Sequence, residues 1–139
     1  MERVHVREQL PASADEVWSR VRDFGDISAW APQAKMLSVE GEGVGAVRRV
    51  DTEMGLFVER CEAHDDAAHT FSYALLECPI PFREYVAVVA LTAQDGGSSE
   101  IEWSCQFDCD AEAADFLREN VENTYRGGFI AALRESLRA

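Results

Sequence analysis

The segment EIEWSCQFD, residues 100–108, decides the fold, because apolar and polar side chains alternate along it without a break. In a β-strand, successive side chains point to opposite faces of the sheet. Ile101, Trp103, Cys105 and Phe107 therefore share one face, while charged and polar side chains occupy the other. This pattern predicts a strand with one buried face and one face in contact with water.

A long amphipathic helix is predicted directly after this strand, over residues 112–136. Asp110 is expected to cap it, and acidic side chains in its first turn complement the positive end of the helix dipole. Apolar residues recur at every fourth position: Leu117, Val121, Tyr125, Phe129, Leu133 and Leu137. Gly127 and Gly128 interrupt the pattern, and each costs about 1 kcal/mol relative to alanine in a helix. Their presence predicts either a close backbone approach or an empty space at that point.

A short helix is predicted near the start of the chain. Residues 3–10 alternate in polarity and predict a half-buried strand that ends at Pro11. Ser13 and Glu16 form the S-x-x-E pattern of a capping box, which predicts a helix over residues 14–22. A further short helical turn is expected over residues 26–30.

Five more strands are predicted between this helix and residues 100–108. They are residues 36–40, 47–52, 56–63, 69–77 and 85–92. Residues 85–92 are apolar on both faces, which predicts a central strand covered on each side. The order of strand, helix, six strands and long helix lacks alternating β and α units, so it predicts one α+β domain over residues 1–139 and excludes a doubly wound parallel sheet.

The composition excludes several classes of partner. The chain carries 26 acidic and 13 basic residues, which gives a formal net charge of −13. Nucleic-acid binding requires a basic surface, so we expect no nucleic-acid partner. No apolar run reaches the ~20 residues of a membrane-spanning helix, so we expect no stable membrane insertion.

The spacing of cysteine and histidine residues indicates no metal site. The four cysteines contain no C-x-x-C pair, and the three histidines are scattered. The glycine-rich residues 41–45 precede no predicted helix, so they do not form a dinucleotide loop. We expect no metal and no cofactor. The N-terminal residues lack a signal-peptide pattern, which predicts a cytoplasmic protein with reduced thiols, and Cys105 is expected to be a small buried apolar residue.

Short motifs spread over the whole chain together resemble a known family. They are Val17-Trp18 with Val21, Asp23-Phe24, Trp30-Ala31-Pro32, Gly41-Glu42-Gly43-Val44-Gly45, Arg48, Gly55, Glu59-Arg60, Tyr73, Pro79, Tyr85, Trp103, Gly127-Gly128-Phe129 and Leu133. Their order resembles that of the START and birch-pollen-allergen superfamily, and more closely its polyketide cyclase/dehydrase and lipid-transport branch. The resemblance implies a helix-grip fold, in which a curved seven-stranded antiparallel sheet wraps around a long C-terminal helix, with one or two short helices after the first strand.

The resemblance also implies a cavity for a small hydrophobic ligand between the sheet and the long helix. The residues expected to bind the ligand are Trp30, Phe57, Glu59, Phe71, Tyr73, Tyr85, Trp103, Phe107, Tyr125 and Phe129. The alternative is that these aromatic residues fill a solid core. The glycine-rich residues 41–45 are expected to form either a flexible loop over the mouth of the cavity or a plain surface turn. The protein is expected to be a monomer or a weak homodimer.

The role of Glu59 bears on which function the protein has. Glu59-Arg60 resembles the acid–base pair that, in related plant hormone receptors, sends the acid into the cavity. A buried carboxylate costs several kcal/mol unless it is paired, so Glu59 either serves a ligand or forms a structural ion pair with Arg48 or Arg83. Three functions follow: a binder of a lipid-, polyketide- or aromatic-metabolite-like molecule, a polyketide cyclase/dehydratase in which Glu59 or Tyr85 handles protons, or a regulatory module that changes its loop conformation on binding.

Overall fold

The computed structural model describes residues 1–138, and within them seven antiparallel strands form one sheet in the order β1-β7-β6-β5-β4-β3-β2. The strands are β1 (Glu2–Leu10), β2 (Lys35–Glu40), β3 (Val47–Thr52), β4 (Gly55–Asp65), β5 (Thr70–Glu77), β6 (Arg83–Ala93) and β7 (Ser99–Asp108). The helices are α1 (Ala14–Val21), α2 (Ala114–Asn123), a π-helical segment (Thr124–Ile130) and α3 (Ala131–Ser136). This architecture confirms the predicted helix-grip fold.

The first and last strands of the chain are neighbours in the sheet. Strand β1 pairs with β7 from Glu2 opposite Phe107 to Leu10 opposite Ser99. The register shifts between Cys61 and Ala63, where β4 pairs with β5. Irregularities of this kind bend a strand and increase its twist. The sheet therefore curves, and its concave face receives the C-terminal helix.

Strand β7 confirms the alternation predicted for residues 100–108. Ile101, Trp103, Cys105 and Phe107 are all buried, and their neighbours along the strand are more accessible. Burying an isoleucine or phenylalanine side chain stabilises a fold by about 1.5–3 kcal/mol. This face of β7 is the centre of the hydrophobic core.

Strand β6 differs from the prediction that both of its faces are covered. Tyr85, Ala87, Val89 and Leu91 are buried, but Val88, on the opposite face, is 41% exposed. Helices pack against the concave face of the sheet, which leaves the convex side of β6 in water. The apolar convex residues misled the prediction, because polarity alone does not reveal which sheet faces receive a helix.

The C-terminal helix is one continuous helical run from Ala114 to Ser136, as predicted, with π-helical geometry in its middle. The expected side-chain cap by Asp110 is wrong. Asp110 stands at the N-cap position of a 3-10 turn (Ala111–Ala113) that leads into the helix, but its side chain caps no helix amide, and Oδ1 instead accepts a hydrogen bond from Arg83 Nη1 at 3.1 Å.

Gly127 and Gly128 both lie within the π-helical segment. A Cβ atom built on either glycine meets no atom within 4 Å in the described structure, apart from its chain neighbours and the backbone of its own helix. Of the two explanations that the sequence left open, the structure therefore favours an empty space over a close backbone approach.

Helix α1 forms where the capping box predicted it. Ser13 Oγ accepts a hydrogen bond from the Glu16 amide at 3.1 Å. The helix buries Val17 and Val21 completely or nearly so, together with Trp18. Two successive turns then lead the chain to Trp30. The Asp23 carbonyl accepts a hydrogen bond from the Asp26 amide in the first turn, and the Ile27 carbonyl accepts one from the Trp30 amide in the second. In the described chain no helix has both the length and the apolar character needed to cross a membrane.

Candidate functional site: a cavity between the sheet and the C-terminal helix

A cavity of about 600 Å³ lies between the concave face of the sheet and the C-terminal helix. This volume falls within the range that small-molecule sites usually occupy. Strands β3 to β6 supply one wall, and the helical run from Asn120 to Ala132 supplies the other. Gly127 and Gly128 belong to this second wall, and both are exposed, so they border the cavity where it is open.

Most of the predicted site residues meet at this cavity. Those on its wall are Trp30, Phe57, Glu59, Tyr73, Tyr85, Tyr125 and Phe129. They come from the turn after α1, from three strands and from the C-terminal helix, so the fold brings together residues that are distant in sequence.

Phe71, Trp103 and Phe107 lie in the packed core and not on the cavity wall. The ring of Trp103 is covered by Phe129 at a centroid distance of 5.0 Å. The ring of Phe107 is covered by Phe82, at 4.8 Å. Phe71 packs 6.0 Å from Trp18 of helix α1. These three residues point to the same sheet face as the wall, but each packs against another aromatic ring and does not line the open space.

The cavity wall includes apolar residues that the sequence analysis did not identify. Ile80 and Phe82 belong to the loop between β5 and β6, and both line the cavity. Pro79 and Pro81 marked this segment as a loop, and loops are usually polar and exposed. The available signal was the two large apolar side chains next to the prolines, which a surface loop does not require.

The glycine-rich residues 41–45 do not border the cavity. The Gly45 amide donates to the Cys61 carbonyl at 2.8 Å, which ties the loop to β4. The mouth of the cavity is instead formed by lining residues that are exposed to solvent, among them Gln33, Glu53 and Met54. Of the two roles expected for the glycine-rich segment, the structure favours the surface turn.

Glu59 lies on the cavity wall and is paired with Arg48. Arg48 Nε donates to Glu59 Oε1 at 2.8 Å, and Arg48 Nη1 donates to the Phe24 carbonyl at 3.0 Å. The guanidinium carbon lies 3.9 Å from the centre of the Phe24 ring, a cation–π geometry. Arg83, the other expected partner, pairs with Asp110 instead.

Three tyrosines place hydroxyl groups around the deep part of the cavity. The hydroxyls of Tyr85 and Tyr125 share a hydrogen bond, and Trp103 Nε1 donates to Tyr73 Oη at 3.2 Å. Burial raises the pKa of Tyr85, Tyr125 and Tyr73, and the negative charge of Glu59 raises that of Tyr73 further. All three hydroxyls therefore stay protonated. One of the protons of Tyr85 and Tyr125 is used in the hydrogen bond between them.

Cys105 lies behind this group of tyrosines. It is buried, and burial raises the pKa of its thiol. A protonated thiol is a poor nucleophile, so Cys105 lacks the activation that covalent catalysis requires. Among residues 1–138, no cluster of three or more histidine, cysteine, aspartate or glutamate side chains could hold a metal ion.

Solved structures with the same fold come from several bacteria. An uncharacterised protein of Bacillus thuringiensis is 21% identical, with a TM-score of 0.86 over 99% of this chain and 100% of its own. A protein of Thermobifida fusca is 28% identical, with a TM-score of 0.79 over 97% of this chain and 92% of its own. The Zhui aromatase/cyclase of Streptomyces sp. R1128 is 20% identical, with a TM-score of 0.80 over 99% and 94% of the two chains.

The sequence itself matches a family over almost its full length. No curated protein sequence matches the chain. The model of the family described as polyketide cyclase / dehydrase and lipid transport, however, matches residues 1–138. This match covers every element that builds the cavity. The chain therefore belongs to the polyketide cyclase/dehydrase and lipid transport family.

Proposed function

We propose that this protein binds a small, largely apolar molecule in the cavity between the sheet and the C-terminal helix. The observation that carries the proposal is a space of about 600 Å³ walled mainly by aromatic and aliphatic side chains. Protein interiors are densely packed, and voids larger than a water molecule are few. An apolar space of this size is therefore explained best by an occupant.

The arrangement of polar groups supports a defined orientation of the ligand. Exposed polar side chains, including Gln33 and Glu53, stand at the mouth, while Glu59 and the tyrosine hydroxyls stand deeper. Few, well-placed polar groups in an apolar wall are typical of sites that bind small molecules with specificity. The apolar body of a ligand would contact the rings, and one polar group would reach Glu59.

Native mass spectrometry and the binding of an apolar fluorescent probe test this proposal. We expect a probe to bind with about one molecule per chain. Gly128→Leu should weaken binding, because the new side chain enters open space on the cavity wall. Asn123→Leu is the matched control, since Asn123 is exposed on the same helical run and does not line the cavity. Probe binding that is equal in both variants would contradict the proposal.

Catalysis is a second candidate function, favoured by the polar groups of the wall. Glu59 could take a proton from a carbon that lies between two carbonyl groups, as cyclisation of a polyketide-like chain requires. A protonated tyrosine could stabilise the enolate oxygen that forms, by donating a hydrogen bond to it. The family match favours this chemistry as a class.

Turnover of a poly-β-carbonyl substrate separates the two candidates. If Glu59 is a general base, Glu59→Gln should lower kcat by about 10²–10⁴-fold. If the protein is a binder, no cyclised product should form with the wild-type protein above the uncatalysed rate. Chromatography of the products after incubation with the wild-type and variant proteins measures this difference.

A further inference from the structure

We infer that the cavity selects neutral molecules that carry a hydroxyl donor, such as a phenol, an enol or an alcohol, and that it rejects carboxylates. The inference rests on the proposed binding function and adds the chemical class of the ligand. It follows from how the charged groups of the cavity wall are paired.

One oxygen of the Glu59 carboxylate is free to accept a hydrogen bond. Oε1 accepts from Arg48, whereas Oε2 has no protein donor among residues 1–138. Oε2 is not fully buried, so it retains accessible surface. Since Glu59 lines the cavity, this surface faces the ligand. A hydroxyl group placed there would donate a charge-assisted hydrogen bond.

A carboxylate ligand would find no cation to pair with. The charged side chains on the cavity wall of the described chain are Glu53 and Glu59, and both are acidic. The side chain of Arg48 is 1% exposed, and its Nη2 atom is fully buried without a hydrogen-bond partner in the described chain, so a ligand does not reach it. An anion in the cavity would lose its hydration and receive no compensating charge.

An ammonium ligand would also be disfavoured relative to a hydroxyl. The charge of Glu59 is already compensated by Arg48 at 2.8 Å, so the pair is close to neutral. A cation would have to give up its hydration for one oxygen of a neutralised carboxylate. A neutral hydroxyl loses far less hydration when it enters the cavity.

Four naphthalenes of similar size test the inference: 2-naphthol, 2-methylnaphthalene, 2-naphthoate and 2-naphthylmethylammonium. Their dissociation constants for the wild-type protein are measured by calorimetry near neutral pH, where the naphthol is neutral. We expect 2-naphthol to bind about tenfold more tightly than 2-methylnaphthalene, because a hydrogen bond to a charged acceptor adds to the apolar contacts. Both ionic compounds should bind more weakly than 2-methylnaphthalene.

The outcomes of this series separate the inference from the binding function. Equal binding of all four compounds, or tighter binding of the naphthoate or the ammonium compound than of the naphthol, overturns the inference and leaves the binding function intact. Binding of none of them contradicts both. The series needs no variant, so it does not depend on the folding of a mutant protein.

Glu59→Gln provides a second test, because it should change the affinities for 2-naphthol and 2-naphthoate in opposite directions. The affinity for 2-naphthol should fall, while the affinity for 2-naphthoate should rise, because Arg48 then lacks its counter-charge. Glu62→Gln is the matched control, since Glu62 pairs with Arg60 on the same strand and does not line the cavity. It removes the same charge and should leave both affinities unchanged. The same response in both variants would show a general charge effect and overturn the inference.

Discussion

Arg48 and Glu59 lie opposite each other in the register of β3 and β4, and Arg48 Nε donates to Glu59 Oε1 at 2.8 Å. The side chain of Arg48 is 1% exposed and that of Glu59 is 13% exposed. Each group has given up much of its hydration, and each relies on the other to compensate for that loss. The ion pair therefore stabilises this part of the cavity wall, and Glu59 places a carboxylate on it.

Removing one member of this pair should cost more stability than removing both. Arg48→Met leaves a largely buried carboxylate without a partner, and we expect a loss near the lower end of the roughly 3–5 kcal/mol that a fully buried pair would show in the free energy of unfolding. The double variant Arg48→Met with Glu59→Leu should recover much of that loss. Urea denaturation of the three proteins measures it. A double variant that is less stable than Arg48→Met alone would show that the pair does not act as a unit.

Gly128→Ala should stabilise the protein by about 1 kcal/mol, because alanine has the higher helix propensity. The added methyl group meets no atom within 4 Å in the described structure, so no contact opposes the gain. Gly43→Ala is the control, since Gly43 has a φ of +63° that alanine adopts only with strain. The melting temperature in thermal unfolding should therefore rise for Gly128→Ala and fall for Gly43→Ala. A lower melting temperature for Gly128→Ala would show that the π-helical segment requires glycine for its conformation.

The helices and strands were largely predictable because their signals are local, whereas the helix-grip arrangement was implied by the family resemblance. The alternation along β7 and the capping box of α1 each depend on residues within one element, and both formed as expected. The covering of β6 was not predictable in this way, because it depends on which sheet face receives the C-terminal helix. The predicted side-chain cap by Asp110 was wrong for a similar reason, because its carboxylate accepts a hydrogen bond from Arg83, which is distant in sequence.

The cavity wall was less predictable than the fold. Alternation gives the face to which a side chain points, but not whether another ring lies in front of it. Trp103 and Phe107 point to the correct face and are nevertheless covered, by Phe129 and Phe82 respectively. The depth of a residue behind a wall is set by packing between distant elements, and no local pattern encodes it.

The stability of the protein should decrease as the pH rises past neutrality, because of His69. Its Nε2 atom lies 2.7 Å from Asp15 Oδ1, and this hydrogen bond raises the pKa of His69 above its ordinary value of 6.5. A raised folded-state pKa means that the protonated form stabilises the fold. The contribution is complete below the unfolded pKa and is lost as the pH rises through the folded one. Asp15→Asn should flatten this part of the stability profile, measured by chemical denaturation between about pH 6 and pH 9. Identical profiles for the two proteins would assign the pH dependence to other groups.

Tyr85→Phe should destabilise the protein, because the Tyr125 hydroxyl then loses its hydrogen-bond partner. The Tyr85 and Tyr125 hydroxyls are bonded to each other, and both side chains are buried. An unpaired buried hydroxyl costs about 1–3 kcal/mol, so the single variant should lose about that much stability. The double variant Tyr85→Phe with Tyr125→Phe removes both hydroxyls and should lose less than the sum of the two single variants. Denaturant unfolding of all four proteins gives the coupling energy of the pair. Strictly additive losses would mean that the two hydroxyls do not depend on each other, and that each is free to bond a ligand or water in the cavity.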